Sequence, residues 1–507
     1  MGQEITHRHF NKSDFEHYRS KIDAELDWVQ NWFVKKNKAL ADTGVDPECQ
    51  EHLTIGFELE ACLIDQNGEP ASINEAFFQR LKNFPDVPQL ASQITRELAQ
   101  FNIELNSSVF ILTGKALSSL EQELTRLWSA CQSVAKEVDC SLLMVGTLPS
   151  LQEKHLKLAN MSHMTRYEAL NEQVLRVRKG KAIELDIQGS ETLKSIHQDV
   201  MLESAATSFQ LHLQMPLSRS VRYYNAAIIL SAPIVAMSAN SPFLFGKALW
   251  CETRIPVFEQ AVSVGGFDGA AFGPIKRVSF GSGYARESLL ECFQENNEHY
   301  PVLLPEVFNT SVEELAHLSL HNGTVWRWNR PLITSTSTIN KGKVEKGWDY
   351  HVRLEHRVIP AGPTVVDSIA NAAFFYGTVT ALANQYEIPE FQLPFVQAKE
   401  NFYLAAKQGL KAKISWLSGQ VIPMKPLLID YLLPLAKNGL SQLGIARKDI
   451  DYYLGIIEQR VISGQNGAQW QRSYIEKNGK DMEALTKAYL KNQQGGRPVH
   501  EWESLEC

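Results

Sequence analysis

Glu58 and Glu60 stand two residues apart in LTIGFELEACLI, where Leu53, Ile55, Phe57, Leu59, Ala61 and Leu63 are all apolar. Successive residues of a β-strand point to opposite faces. The two glutamates therefore share one face of a strand whose other face is a core face. Carboxylates crowded onto one surface repel each other and stay ionised only where cations compensate. The chemistry to look for is that of a negatively charged face built to hold positive charge.

The pattern recurs along the chain. In FNIELN, Asn102, Glu104 and Asn106 oppose Phe101, Ile103 and Leu105. In AIELDIQ, Glu184, Asp186 and Gln188 oppose Ile183, Leu185 and Ile187. In SFQLHLQM, Ser208, Gln210, His212 and Gln214 oppose Phe209, Leu211, Leu213 and Met215. In HVRLEHRV, Arg353, Glu355 and Arg357 share one side. Val352, Leu354, His356 and Val358 share the other. Five strands with one apolar and one polar side read as an antiparallel sheet covered by helices on one face. A merely wetted strand face carries Lys, Thr and Ser. Glu pairs, His and Arg fit a functional cleft better. Asn106 and Gln210, on the same face, are read as substrate contacts.

Hard divalent cations with oxygen ligands suit such carboxylates, and magnesium brings nucleotide phosphates with it. Arg327, Arg330, Arg353 and Arg357 add fixed positive charge of a kind that binds phosphate or carboxylate in a bidentate manner. Metal ligands beside arginines are equipment for phosphoryl transfer. Arg327 and Arg353 are read as nucleotide contacts. Trp326 and Trp328 read as packing residues rather than base-stacking platforms.

The elements that must position these groups follow from the pattern. Residues 1–50 read as a helical lead-in. Residues 51–390 read as an α+β catalytic domain, a curved antiparallel sheet with helices on its apolar face. Residues 391–507 read as a helical region. Helices are expected at 364–386, 396–415, 426–443, 447–462 and 480–492, with a break at 421–426. A Gly-rich stretch at 264–285 reads as a mobile lid. It lacks the spacing and the Lys-Ser/Thr ending of a P-loop.

Composition sets the class. The chain has 507 residues, 44% hydrophobic and 21% charged, with net charge −7 and a pI of about 6.1. Those values are ordinary for a globular protein and leave no basic excess for nucleic acid. No stretch approaches the ~20 apolar residues of a membrane span. The first twenty residues hold no apolar run, so the expectation is a cytoplasmic chain without a leader. Seven cysteines, an odd number with no CxxC pair, fit neither a zinc site nor a disulfide framework.

In this order the stretches resemble the glutamate–cysteine ligase family of the second type, with its carboxylate–amine ligase branch. That family lies within the glutamine-synthetase-like superfamily. The resemblance is carried by GFELE (56–60), IELN (103–106), GTLP (146–149), MTRY (164–167) and FQLHLQ (209–214). It continues through NSPFLFG (240–246) with Arg254, GTVWRWNRP (323–331), RLEHRVIPAGPTVVD (353–367) and NGAQWQ (466–471). It implies that Glu58, Glu60, Glu104 and Glu355 are metal ligands. It implies that His212 sits by a metal or the nucleotide and that Arg357 faces the γ-phosphate. Arg330 would lie near the phosphates, and Arg166 and Arg254 would contact substrate or phosphate. The implied reaction uses ATP and Mg²⁺ to phosphorylate the γ-carboxylate of glutamate. An amine, cysteine in the name-giving case, then attacks the acyl phosphate. The implied partners are these small molecules and a possible second copy of the chain. Two other readings stay open: a related ligase with a different amine acceptor, and a non-catalytic binding protein of the same fold.

Overall fold

Eight strands gather the alternating segments into one sheet. The structure is a computed structural model that describes residues 4–43, 53–84, 90, 92–264, 276–339, 346–417 and 419–503. In chain order the strands are β1 (Thr54–Ile64), β2 (Ile94–Arg96), β3 (Asn102–Asn106), β4 (Phe110–Ile111), β5 (Ser141–Leu143), β6 (Phe209–Met215), β7 (Asn329–Ile339) and β8 (Lys346–His356). They lie in the order β7–β8–β6–β1–β3–β2, with β4 and β5 also pairing to β1. Every pairing is antiparallel.

The apolar side forms as the alternation requires. Phe57, Leu59, Phe209, Leu211, Leu213 and Leu354 are buried, and the Phe57 and Phe209 rings lie 5.5 Å apart. Each such side chain contributes roughly 1.5–3 kcal/mol relative to its exposed state. The helices include α1 (Lys12–Thr43), α2 (Thr165–Val177), α3 (Ser220–Ser238), α4 (Val365–Ala383) and α5 (Leu433–Gln442). Helices α3 and α4 pack against the sheet. The Tyr376 hydroxyl of α4 lies 3.2 Å from the Gly56 carbonyl and 3.1 Å from the His212 carbonyl. That contact holds the central strands from behind, where their side chains point the other way.

Helix α4 is the buried pillar. Its first turn is capped by Thr364, whose hydroxyl oxygen accepts from the Asp367 N–H at 3.2 Å. Asp367 in turn accepts from Arg460 at 2.7 Å, which ties α4 to the C-terminal helices. By length and composition α4 is apolar enough to cross a membrane, contrary to the sequence expectation. Because 94% of that window is buried in the fold, it is a core helix.

Three further expectations change. The strand Ile183–Gln188 pairs only with Thr192–His197, in a separate hairpin. Its residues Glu184, Asp186 and Gln188 are exposed, while Ile183, Leu185 and Ile187 pack toward the helix Arg254–Ala261. This strand face lies outside the main sheet, and its Asp186 and Gln188 border a separate surface hollow. The expected helix at 396–415 ends at Gln408, where Gly409 takes a φ of 55°. A small hairpin of Lys413–Ser415 and Val421–Pro423 follows. A helix also forms over Gly467–Asn478, started by the Asn466 side chain, which accepts from the Gln469 N–H. The lid expected at 264–285 lies partly outside the described residues, at 265–275. Its second half is fixed, with Val278–Ser279 pairing in parallel with Trp326–Arg327.

Helices α4 and α5 meet at two glycines. A Cβ on Gly439 would come within 2.0 Å of the Gly377 carbonyl oxygen, and one on Gly377 within 2.5 Å of the Ala436 oxygen. Only backbone fits there. Gly439→Ala is expected to destabilise the protein by about 1–3 kcal/mol, the usual cost of overpacking a tight core. Chemical denaturation checks this. An unchanged midpoint would mean the two helices part more easily than this contact allows.

Candidate active site

The antiparallel register stacks the polar residues in rows across the sheet. One row runs Arg330–Glu355–His212–Gly56 across β7, β8, β6 and β1. The next runs Gln210–Glu58–Asn106 across β6, β1 and β3. A third runs Glu60–Glu104–Thr95 across β1, β3 and β2. Segments some 300 residues apart in sequence thus become neighbours 5 Å apart or so.

The side chains form two acidic clusters. In the first, Glu58, His212 and Glu355 each place a ligand atom within 4.8 Å of the others. His212 Nε2 is 3.1 Å from Glu58 Oε1. Burial pushes the Glu58 carboxyl up, but the neighbouring imidazole and Arg357 outweigh it and hold it well below the usual carboxylate range. Glu355 is clamped by Arg330, with Nε donating at 3.1 Å and Nη2 at 2.8 Å. Arg357 Nη1 donates to Glu355 at 2.6 Å. Burial works against the Glu355 anion, yet these two guanidiniums bring its pKa down to about 2.

In the second cluster, Glu60, Glu97 and Glu104 lie equally close and all three are buried. Glu60 accepts from the Ser208 N–H at 2.7 Å and from Gln210 at 2.9 Å. Glu104 accepts from Thr95 at 3.1 Å and from Asn106 at 3.0 Å. Glu97 Oε1 is buried with no hydrogen-bond partner. Burial, with Glu104 adding like charge, drives the Glu60 pKa up to about 8 despite Arg357. Burial also raises Glu97 well above its ordinary value. Three carboxylates in one dry pocket need either protons or a cation. An all-oxygen set with an unsatisfied buried atom fits a hard divalent ion. The first cluster fits one less exclusively, since it offers a nitrogen beside two carboxylates.

A cavity opens over both clusters. Its polar lining includes Glu58, Glu60, Glu97, Arg166, Tyr167, Glu203, Arg330, Arg353, Glu355 and Arg357. Its far wall is apolar, with Phe293, Leu304, Leu320, Trp326, Leu332 and Ile333. Arg166 lies over the Tyr167 ring, 4.7 Å from its centroid. Arg353 points in with its Nε unpartnered.

Most sequence-assigned residues therefore meet at one place. Glu58, Glu60, Glu355, Arg330, Arg353, Arg357 and Arg166 line the cavity, His212 stands behind Glu58, and Glu104 pairs with Glu60 across the strands. Four others sit elsewhere. Arg254 does not line the cavity: it pairs with Glu252 at 3.0 Å and donates to the carbonyls of Arg357 and Val358. It fixes the backbone that carries Arg357. Arg327 is buried against Asn296 and Glu295 at 2.7 and 2.8 Å. Gln210 is fully buried and bridges Glu60 and Arg357 rather than facing a substrate. Asn106 holds Glu104. Trp328 is core, donating to Glu259 at 3.1 Å, while Trp326 reaches the cavity wall.

Three cavity residues were not singled out. Glu97 follows the three-residue strand β2, two positions after Thr95, too short a run for alternation to speak. Tyr167 closes the MTRY motif, where the charge of Arg166 is the stronger signal. Glu203 sits on a 3₁₀ turn, Val200–Ala205, where no periodicity marks a functional face.

The comparisons agree with this geometry. The family model of glutamate–cysteine ligase family 2 matches residues 54–491. The chain belongs to that family. As a family 2 member it is of the carboxylate–amine ligase class. The solved glutamate–cysteine ligase (gshA) of Francisella tularensis in complex with AMP is similar, with a TM-score of 0.52 and 12% identity. That match covers 90% of this chain and 91% of that one. A bifunctional glutathione synthetase from Pasteurella multocida gives a TM-score of 0.48 at 11% identity, over 87% of this chain and 53% of that one. No curated protein sequence matches the chain. The antiparallel sheet under helices is the fold shared with the Francisella ligase.

The second cluster makes a sign prediction. Glu60 is raised to about 8, so the metal-free fold holds its proton at neutral pH. The group opposes folding increasingly as pH climbs from the ordinary carboxylate value towards about 8. A bound divalent cation must displace that proton. Titrating Mg²⁺ in calorimetry buffers of different ionisation enthalpy is expected to show proton release near pH 7, shrinking near pH 9. Release of no protons at either pH would contradict the cluster's assignment.

Proposed function

We propose that the protein is an ATP- and Mg²⁺-dependent ligase forming a γ-glutamyl amide through an acyl phosphate, with glutamate as donor and cysteine as first acceptor. The observation that carries this reading is the pair of acidic clusters on one sheet face, flanked by Arg330, Arg353 and Arg357. Glu60, Glu97 and Glu104 would hold one magnesium, and Glu58, His212 and Glu355 another. Bound there, magnesium would neutralise phosphate charge and stabilise the transferring phosphoryl group.

The chain's own residues do the rest. The apolar wall of Phe293, Leu320, Trp326 and Leu332 suits a nucleobase. Arg353, with an unpartnered Nε, is placed for a phosphate oxygen. Arg357 is held by Glu355 and Gln210 and lies between the two clusters, where charge develops as phosphate moves to the donor carboxylate. Both clusters keep it charged, since burial is outweighed by Glu355 and Glu60. Arg166 suits the carboxylate of an amino-acid substrate. The pocket's dry walls limit attack by water on the acyl phosphate. The five described cysteines are free thiols, in keeping with a cytosolic setting.

A panel of amines with Mg-ATP and glutamate tests the reading. ADP formation is expected with cysteine, and the acceptor is revised if another amine turns over and cysteine does not. Glu58→Gln is expected to lower ADP release by about 10²-fold or more, as for loss of a group that organises transition-state charge. Full activity in that variant would remove Glu58 from the machinery.

A further inference from the structure

Five carboxylates line the cavity among the described residues, and four are engaged. Glu58 meets His212, and Glu60 meets Ser208 and Gln210. Glu97 takes the Leu98 N–H at 3.2 Å, and Glu355 takes two guanidiniums. Among the described residues Glu203 makes no hydrogen bond and no close ion pair through its carboxylate, feels Arg357 and Arg166 only at longer range, and belongs to neither metal-type cluster. An acid turned into a cavity without a partner is oriented for something that enters.

Its placement is firm. The 3₁₀ turn that carries it is capped by Asp199, which accepts from the Met201 N–H at 3.0 Å. The Val200 N–H is held by Asn171 of α2 at 3.1 Å, and the Ser204 carbonyl by Asn102 of β3 at 2.9 Å. Helix α2 also brings Arg166, Tyr167 and Leu170 to the same end of the cavity. A carboxylate and a guanidinium lining one cavity, the guanidinium near enough to favour the carboxylate's charge, complement a ligand bearing an ammonium and a carboxylate.

Resting on the ligase reading above, we infer that Glu203 receives the ammonium group of the acceptor amino acid and takes its proton as the nitrogen attacks. The balance is complete. One ammonium proton passes to Glu203, the nitrogen forms the C–N bond, and the C–O bond of the acyl phosphate breaks. Phosphate leaves with the electron pair and collects the second proton.

Hydroxylamine separates this role from a structural one, because it is largely uncharged at neutral pH and needs no ammonium docking. Wild type and Glu203→Gln are compared with Mg-ATP and glutamate, using either hydroxylamine or cysteine. The variant is expected to form hydroxamate nearly as well as wild type. Its kcat/KM for cysteine is expected to fall by about 10²–10⁴-fold, the range of a lost general base. Raising the pH should restore part of it. Equal loss with both acceptors, or no loss with cysteine, overturns the role of Glu203 alone. A wild type that forms neither hydroxamate nor ADP overturns the ligase reading and this role with it.

Discussion

The constraint on which the rest depends is the crowding of like charge on one sheet face. Among the described residues five carboxylates line the cavity, Glu104 stands just behind, and four guanidiniums and one imidazole answer them. The balance is uneven across the face. On the β7–β8–β6 side, Arg330 and Arg357 keep Glu355 ionised. On the β1–β3–β2 side, Glu60 and Glu97 are raised because burial and their neighbours leave the negative charge unanswered. One half of the site arrives with its cations built in, and the other half needs them supplied. That asymmetry is what a nucleotide with bound metal ions would complete.

Keeping so many charged groups close requires a stiff frame, since a buried polar network is worth having only when each member is held. The frame comes from the opposite face and from the C-terminal helices. Tyr376 braces the central strands at the carbonyls of Gly56 and His212. Arg254 fixes the carbonyls of Arg357 and Val358. Asn240 gathers distant pieces: its amide donates to the Ala361 carbonyl at 2.7 Å and to the Tyr489 hydroxyl at 2.8 Å, and its oxygen accepts from Gln471 at 3.0 Å. Gly467 lies so close to that side chain that a Cβ would meet it at 1.9 Å. The helical region beyond 391 is thus part of the site's support.

How much was legible in the sequence follows from how each element encodes its face. Long strands state their geometry through alternation, so Glu58, Glu60, Glu104, His212, Glu355 and Arg357 could be assembled from sequence alone. The same rule misplaced Glu184 and Asp186, because alternation tells which residues share a side and not whether that side meets a cavity or water. Arg254 and Arg327 were misjudged because a buried arginine bonded to carbonyls or to Asn296 looks, in sequence, like one that binds phosphate. Glu203 left no trace, since a 3₁₀ turn has no period to read. The end of the helix at Gln408 was hidden because a single glycine of positive φ outweighs a favourable helical pattern.

The claim that this face makes an acyl phosphate is tested most directly with glutamate carrying ¹⁸O in its γ-carboxylate. One labelled oxygen is expected in each inorganic phosphate released during turnover with Mg-ATP and an acceptor amine. Phosphate free of label, with the amide still formed, would contradict phosphorylation of the carboxylate and with it the role given to the paired clusters.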